Sequence, residues 1–516
     1  MKESKPKDAS KQTISIEEMA AFCKRKGLVY PSSEIYGSLA GFFDFGPLGV
    51  ELKNNIKQHW WKTFVQARDD IVGIDGSIIA HPLVWKASGH VDSFADVLVD
   101  CNKCNSRHRA DHLIEDKLKI NTTGLALEDL EKILKEHKVK CPKCGSVLGE
   151  LRTFNLMFTT NIGPVEVESA KSYLRPETAQ LIFTDFRLVH ENSRLKLPFG
   201  IAQIGKAFRN EISPRDFLFR MREFEQMEIE YFIHPDKIDE CLFIDEVIEH
   251  EIQILSEEMQ KHNKEHQKMK IKNALDKKII KTKWHAYWLT KSHKWFIALG
   301  AKPDNFRIRQ HIATELSHYA LETWDLEYRF PFGWKELQGL ANRTDFDLQQ
   351  HMKVSGKDLS LFDEETKRKI VPYVICEPSL GVERAFLVFL FDAYNYDSER
   401  ENVVLELSPE LAPYKIAVFP LLSNKDELVA KAKEVHDNLK IYFASFYDDS
   451  GSIGRRYSRQ DEISTPYCIT VDFETLTDDS VTVRDRDTTE QHRVKIKDLK
   501  NIIGKLLSKE MHFSDI

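Results

Sequence analysis

The sequence predicts an α+β fold. An antiparallel-sheet domain carries two insertions, one with cysteine pairs and one helical, and a smaller C-terminal α/β domain follows. Three observations predict this. Leu197 to Phe232 reads as strand, loop, strand, with period-two alternation on the returning half. Two Cys-x-x-Cys pairs, Cys101/Cys104 and Cys141/Cys144, enclose 36 residues. From Leu411 onward, short apolar strands alternate with helical segments.

The 516 residues suffice for roughly two to four domains with a large core. A hydrophobic content of 42% with 30% charged residues describes a soluble globular chain. No apolar run reaches membrane-span length, and MKESKPKDASKQT lacks the apolar segment of a secretory signal, so cytoplasm is the expected compartment, with no membrane partner. The net charge of −7 means that any nucleic-acid contact must come from local basic patches.

Taken in order, residues 1–13 are polar and expected to be disordered, and Ile14 to Lys26 reads as an amphipathic helix. Tyr30 to Asp44 reads as turns. Pro47 to Asp69 predicts a long helix, because Leu52, Ile56, Trp60 and Phe64 recur every four residues and proline suits its first position. A strand is expected over Ile71 to Ile79, and helices over Leu127 to His137 and Thr178 to Val189. Residues 236–305 look like an insertion, helical over Ile238 to Met259. Within it, Lys261 to His285 holds nine lysines against Glu265 and Asp276, a local balance of +7. Strand, turn and helix follow around Trp334–Gly339, Ala341–Asp345 and Tyr373–Cys376, with Val382, Phe386, Phe389 and Leu390 forming an apolar stripe. Strands at Tyr414–Pro420, Ile441–Tyr447 and Pro466–Val471 and a helix at Asp426–Leu439 build the last domain.

Four features carry chemistry. On the returning strand, Arg222, Phe224, Gln226, Glu228 and Glu230 share one face, while Met221, Glu223, Glu225, Met227, Ile229 and Tyr231 share the other. The first set suits an anionic ligand with a flat ring and a cation, since arginine forks hold phosphates, rings stack and carboxylates hold ammonium. A solvated sheet face laced by arginine–glutamate pairs has the same pattern. Four cysteines in two tight pairs suit Zn²⁺ in a closed, structural site, or reduced thiols. The lysine run suits phosphate contacts or a solvated face. Arg455-Arg-Tyr-Ser-Arg459 suits phosphates and unpaired bases, or a solvated loop.

Arg209-Asn-Glu211 with Phe219-Arg-Met-Arg-Glu-Phe-Glu-Gln-Met-Glu228 resembles motif 2 of class II aminoacyl-tRNA synthetases, in the form typical of the glycyl-tRNA synthetase family. Leu174-Arg-Pro-Glu-Thr-Ala-Gln180 resembles that family's amino-acid-binding segment, and Glu377-Pro-Ser-Leu-Gly-Val-Glu-Arg384 resembles motif 3. The helix from Pro47 and its following strand resemble motif 1, the family's dimer interface, although the same stripe suits an ordinary core helix.

The resemblance extends over nearly the whole chain and implies an ATP-dependent ligase that forms glycyl-adenylate and transfers glycine to tRNA(Gly). It implies Arg209 and Arg384 as catalytic residues. The ATP set is Arg209, Asn210, Glu211, Phe219, Arg220, Met221, Arg222, Glu223, Phe224, Glu336, Leu337, Gly381, Val382, Glu383 and Arg384. Mg²⁺ accompanies ATP, with Glu336 as its ligand; Gln338 stands where the family often has an acid. The glycine set is Arg109, Glu177, Phe224, Glu225, Gln226, Met227, Glu228, Glu377, Pro378, Ser379, Leu380 and Gly381. Glu177 is otherwise a helix N-terminal acid, and Arg109 a surface charge.

The implied domains are 1–100 with motif 1, a 101–150 zinc insertion, 151–235 with motif 2, a 236–305 lysine-rich helical insertion, 306–408 with motif 3, and a 409–516 anticodon-binding domain. A homodimer is implied. Interception of adenylate by a second ATP, giving diadenosine tetraphosphate, is an expected side route. The rival readings are a synthetase for serine or proline, and a non-catalytic RNA-binding paralogue.

Overall fold

The computed structural model describes residues 14–516 apart from 121, 123–124, 165–169, 314 and 317–319. The disorder expected at 1–13 lies outside the described residues.

Nine strands form the main sheet: β1 Ile71–Ile74, β2 Phe199–Phe208, β3 Glu223–Ile233, β4 Glu251–Leu255, β5 Gln267–Lys270, β6 Phe306–Gln310, β7 Glu322–Phe330, β8 Gly333–Asn342 and β9 Tyr373–Gly381. Their order is β5-β4-β6-β7-β8-β9-β3-β2-β1. All neighbours are antiparallel except β1/β2 and β4/β6.

Helices clad this sheet. The first, α1 (Ile16–Arg25), starts at a capping box in which the Ser15 hydroxyl accepts from the Glu18 N–H and the Glu18 carboxylate accepts from the Ser15 N–H. The next, α2, runs Pro47–Trp61 and gives way to a π-helical turn over Lys62–Gln66, so it ends eight residues before the predicted Asp69. Its stripe of Leu52, Ile56, Trp60 and Phe64 is buried in the chain's own core. Helix α3 (Ala179–Ser193) packs Ile182, Phe183 and Phe186 on Phe199, Ile201 and Phe232, covering the front face of β2 and β3. Met227, Ile229 and Tyr231 point to the opposite, back face, into the core that holds α2. Two more helices, α4 (Lys283–Ala298) and α5 (Val382–Ala393), complete that core.

The segment 236–305 corrects the sequence reading. Ile238 to Met259 is not a helix; it holds one 3-10 turn at Ile244–Glu246, β4 and the start of a five-residue helix at Glu257–Lys261. Ile252 and Ile254 alternate about Gln253, which is a strand pattern. The long helix lies later, in α4, where Trp284, Tyr287, Trp288, Trp295 and Phe296 are buried. Because β4 and β5 extend the main sheet, the segment is not an independent helical module. All nine lysines are exposed, and Lys268 and Lys270 lie on the edge strand β5, where lysine also discourages pairing with another chain.

The cysteine-bearing segment is a three-stranded sheet (Ala95–Cys101, Arg107–Arg109, Leu148–Asn155) with helices at Ala110–Leu118 and Leu127–Glu136. Val99, Leu113, Ile114, Leu130 and Leu134 form its own small core. The C-terminal domain has strands β10 Ile416–Pro420, β11 Ser445–Tyr447, β12 Tyr467–Val471, β13 Ser480–Asp485 and β14 Gln491–Lys495, in the order β11-β10-β12-β13-β14. Helices α6 (Asp426–Leu439), α7 (Ile453–Glu462) and α8 (Leu499–Leu507) accompany them. The strand expected from Ile441 begins only at Ser445. The basic cluster 455–459 lies on α7 instead of a loop. There Arg456 is buried and donates to the carbonyls of Pro420, Asp449 and Gly451, while Arg459 pairs with Asp448 at 2.5 Å. Arg455 is left as the exposed arginine of the three.

Candidate active site

Strand register assembles the site. Gln226 faces Gly381 and Glu228 faces Ser379 across β3/β9, while Gly339 faces Ser379 and Ala341 faces Glu377 across β8/β9. Residues of one pleat phase on three adjacent strands therefore share the front face. At Gly205 on β2 a Cβ would lie 2.1 Å from the guanidinium of Arg175, so only glycine fits there. Arg175 itself is buried and donates to the Lys206 and Gly76 carbonyls at 2.6 Å each, which makes it a strut.

At the open end lies a cleft of about 240 Å³ whose walls include Arg209, Glu211, Phe219, Arg220, Met221, Phe224, Glu336, Leu337, Gly381 and Arg384. Arg209 donates to the Pro176 carbonyl at 3.0 Å, and its guanidinium lies 5.3 Å from the Phe224 ring centre and 5.5 Å from that of Phe94. Arg384 lies 4.5 Å over Phe219 and donates to the carboxylate of Glu336 at 3.2 Å. Half of the Glu336 side chain is open to the cleft. Glu211 is buried, and its Oε2 has no hydrogen-bond partner among the described residues. Arg220 lies 3.6 Å from that oxygen and donates to Nε2 of His112, which comes from the cysteine-bearing segment, at 3.2 Å. A Cβ at Gly381 would meet nothing nearer than Arg384 at 3.6 Å, so protein packing does not require glycine; the added atom would face the cleft.

The pleat separates neighbours that the contiguous stretches 219–228 and 377–384 had grouped together. Glu223 pairs with Lys206. Glu225 pairs with Lys53 at 2.6 Å and Lys57 at 3.1 Å on the back face. Glu383 pairs with the same Lys53 at 2.6 Å while also lining the cleft. Met227, Leu380 and Val382 are core side chains, and Pro378 is buried between strands. Arg222 donates to the carbonyls of Glu211 at 3.0 Å and Ala40 at 2.8 Å, so it secures the motif 2 loop instead of reaching the cleft. Asn210 is tied through its N–H to the Leu156 carbonyl at 2.7 Å. Arg109 is gripped by Asp96 and Asp111, each at 2.5 Å, which uses up its fork.

At the inner end the front face turns acidic. Gln226 accepts from the Thr178 N–H at 3.2 Å and donates to the Ser379 hydroxyl at 3.2 Å. Glu228 is buried and accepts from the Thr178 hydroxyl. Glu177 accepts from Gln180 at 3.0 Å and lies 3.3 Å from His90. Glu377 accepts from Arg343 at 2.8 Å. Burial pushes the Glu377 carboxyl up to about 8, helped by Glu228 and Glu177 and opposed by Arg343. Burial and then the charge of Glu177 raise Glu228. Burial would also raise Glu177, but His90 and Arg343 outweigh it and hold that acid well below its usual range.

Sequence reasoning missed His90, Phe94 and Asp347, and it gave Gln180 and Arg343 no role of their own within the segments 174–180 and 341–345. Arg343 is buried and forks onto Asp347 through Nε at 2.7 Å and Nη2 at 2.8 Å. Its spacing of four from Asp347, at the start of a helix, was the available signal.

Cys101 and Cys144 approach to 3.4 Å between sulfurs, and Cys104 and Cys141 to 3.7 Å, with all four thiols inside 4.8 Å. Four Zn–S bonds of about 2.3 Å in a tetrahedron put sulfurs roughly 3.8 Å apart, so the donor set fits Zn²⁺.

Comparison with known proteins agrees with this geometry. Residues 164–393 match the family model described as "tRNA synthetase class II core domain (G, H, P, S and T)", and 415–506 match "Anticodon binding domain". Proteins named glycine–tRNA ligase are similar over nearly their whole length. The one from Caldanaerobacter subterraneus is 47% identical, covering 97% of this chain and 99% of its own. That from Geobacillus kaustophilus is 47% identical, covering 94% and 98%, and that from Thermobifida fusca 45%, covering 96% and 98%. With its arginine-lined cleft, acidic inner pocket and C-terminal α/β domain, the chain belongs to the glycine–tRNA ligase family of class II aminoacyl-tRNA synthetases.

Proposed function

We propose that this chain activates glycine with ATP and transfers the glycyl group to tRNA(Gly). The observation that carries the reading is the junction on one sheet face of an arginine-lined cleft and a buried acidic pocket short of cations. The glycine carboxylate is itself the nucleophile at the α-phosphate, so the protein's task is to position and to neutralise charge. Arg209 is preset for that phosphate, because its contacts with Phe94, Phe224 and Pro176 fix its aim before substrate arrives. Arg384, tethered at Glu336 and Phe219, and Arg220 face the other phosphates. Glu211, with one orphaned acceptor oxygen, suits the adenine amine, and Phe224 its ring.

Glu336 would hold Mg²⁺ with ATP, where the ion would offset phosphate charge. The four cysteines would hold Zn²⁺ in a closed site, with a structural role. Glu177, Glu228 and Glu377, with Ser379, receive the ammonium and occupy the space that a Cβ would need. The acceptor end of tRNA completes the second step, with the lysine run and the C-terminal domain as RNA contacts. A cytoplasmic homodimer fits the family, and the adenylate is open to a second ATP as a minor route to diadenosine tetraphosphate. Amino-acid-dependent pyrophosphate exchange across all twenty amino acids tests the reading. Glycine alone should support exchange; alanine or serine within about tenfold, only about 1.4 kcal/mol, would overturn it.

A further inference from the structure

The acidic row runs one residue deeper than glycine needs. Glu228, Glu230 and Glu377 each bring a carboxylate oxygen within 4.8 Å of the others. Glu230 is fully buried, and neither of its oxygens has a hydrogen-bond partner among the described residues. Glu228 pairs with Ser379 and Tyr231 with Cys376 across β3/β9, and this register sets Glu230 directly opposite Glu377. Two buried like charges across adjacent strands repel strongly, so both are not ionised together.

The charged neighbours of Glu230 do not relieve this. They are Glu377 on β9, Glu228 on β3, and Arg343 and Asp347 from the turn and helix after β8. Arg343 divides its fork between Asp347 and Glu377, and His90 serves Glu177. Five carboxylates (Glu177, Glu228, Glu230, Glu377 and Asp347) thus crowd around Arg343, with Arg175 acting on Glu228 while its hydrogen bonds go to backbone carbonyls, and with His90 beside Glu177. Burial, and then Glu377, push Glu230 well above the usual carboxylate range, in keeping with this count.

We propose that Glu230 makes the Glu228–Glu230–Glu377 cluster hold an acidic proton in the empty pocket, and that the arriving glycine ammonium displaces it to solvent. The inference rests on the glycine reading given above. Glycine enters as a zwitterion with its three N–H bonds intact. One carboxylic O–H bond in the cluster breaks, and the proton passes to buffer. The pocket exchanges one positive charge for another, so its net charge is unchanged. A ligand of the same size without an ammonium cannot make that exchange. Glu230 touches no substrate and acts through its neighbours as a positioning residue.

Calorimetry of glycine binding to the full-length protein at pH 7, in buffers of low and high ionisation enthalpy such as phosphate and Tris, reads the displaced proton. Wild type should release about one proton per glycine, and glycine affinity should rise with pH by up to about tenfold per unit while the cluster is protonated. Glu230→Gln keeps the shape, removes the opposing acid and lets Glu377 ionise beforehand. Its release should fall below about one third of a proton, with a flattened pH profile. Equal binding heats in all buffers for wild type would overturn the proposal while leaving the glycine reading intact, and so would a Glu230→Gln protein that releases as much as wild type. If wild type takes up no glycine at all, the glycine reading itself falls. Should Glu230→Gln fail to fold, the wild-type buffer series and pH profile still decide.

Discussion

Strand β3 carries acids on both faces, and the two faces treat them oppositely. On the back, Glu225 meets Lys53 at 2.6 Å and Lys57 at 3.1 Å, and it donates its N–H to Glu383, which shares Lys53. Burial would raise Glu225, but the two lysines outweigh it and hold the acid below its usual range. On the front, Glu228 has a threonine hydroxyl, Glu230 has no partner among the described residues, and Glu377 shares one arginine. There burial wins, and Glu228, Glu230 and Glu377 are all raised. The same residue type on one strand is thus a finished structural pair on one face and an unfinished cation site on the other. Where counter-ions are supplied by the chain, the acid secures helix α2 to the sheet. Where they are withheld, the acid is ready for a charge from outside.

Substitutions on each face should separate the two roles, the largest effect first. Arg209→Ala should lower glycine-dependent pyrophosphate exchange by roughly 10²-fold or more, as for any preset charge at a reacting centre, and Arg384→Ala should act similarly. Arg222→Ala is the matched control: its bonds run to the Ala40 and Glu211 carbonyls, so exchange should fall by less than about tenfold, under 1.4 kcal/mol. Near wild-type exchange in Arg209→Ala would remove that residue from the chemistry. Lys53→Met leaves Glu225 and Glu383 facing each other, and denaturant melts should register a loss of about 2 kcal/mol, less than for a fully buried pair because Lys57 remains. An unchanged midpoint would mean that the back face is not held by charge.

The purified protein should carry about one Zn²⁺ per chain by elemental analysis. Because His112 of that module accepts from Arg220, chelation should raise the KM for ATP more than that for glycine. An ATP KM untouched by chelation would separate the module from the cleft. The smallest effect is expected from neutralising Lys268, Lys270, Lys272, Lys277 and Lys278 together: weaker tRNA binding with a flatter salt dependence, and adenylate formation spared. An unchanged salt slope would make the lysine run a solvated face.

What could be read from the sequence follows from which forces leave a local pattern. The division of β3 into two faces was legible, because a half-buried strand alternates with period two. So were the amphipathic helix α1 and the four cysteines. The fate of each arginine was not. Arg209 and Arg222 look alike in sequence, yet one faces a cleft and the other two backbone carbonyls, because the loop at Ala40 is brought in by the tertiary fold. Arg456 reads as a surface charge in a basic run, but it lies on the buried side of α7 with Gln460, four residues on. His90 and Arg343 come from segments distant in sequence from Glu177 and Glu377 and meet those acids only after folding. Over 238–259, frequent charges at helical spacing hid the short alternation at Ile252 and Ile254. The tryptophans of α4, by contrast, lie on a core-facing helix within a segment whose sequence is dominated by surface lysines.

The most direct test sets one acid from each face side by side. Glu228→Gln and Glu225→Gln should be compared for glycine KM, ATP KM and thermal midpoint. Glu228→Gln should raise the glycine KM by about tenfold or more, the scale of 1.4 kcal/mol, with the ATP KM within about twofold. Glu225→Gln should lower the thermal midpoint and leave the glycine KM within about twofold of wild type. If Glu225→Gln weakened glycine as much as Glu228→Gln, or if Glu228→Gln left glycine kinetics untouched, the contrast between the two faces would be wrong.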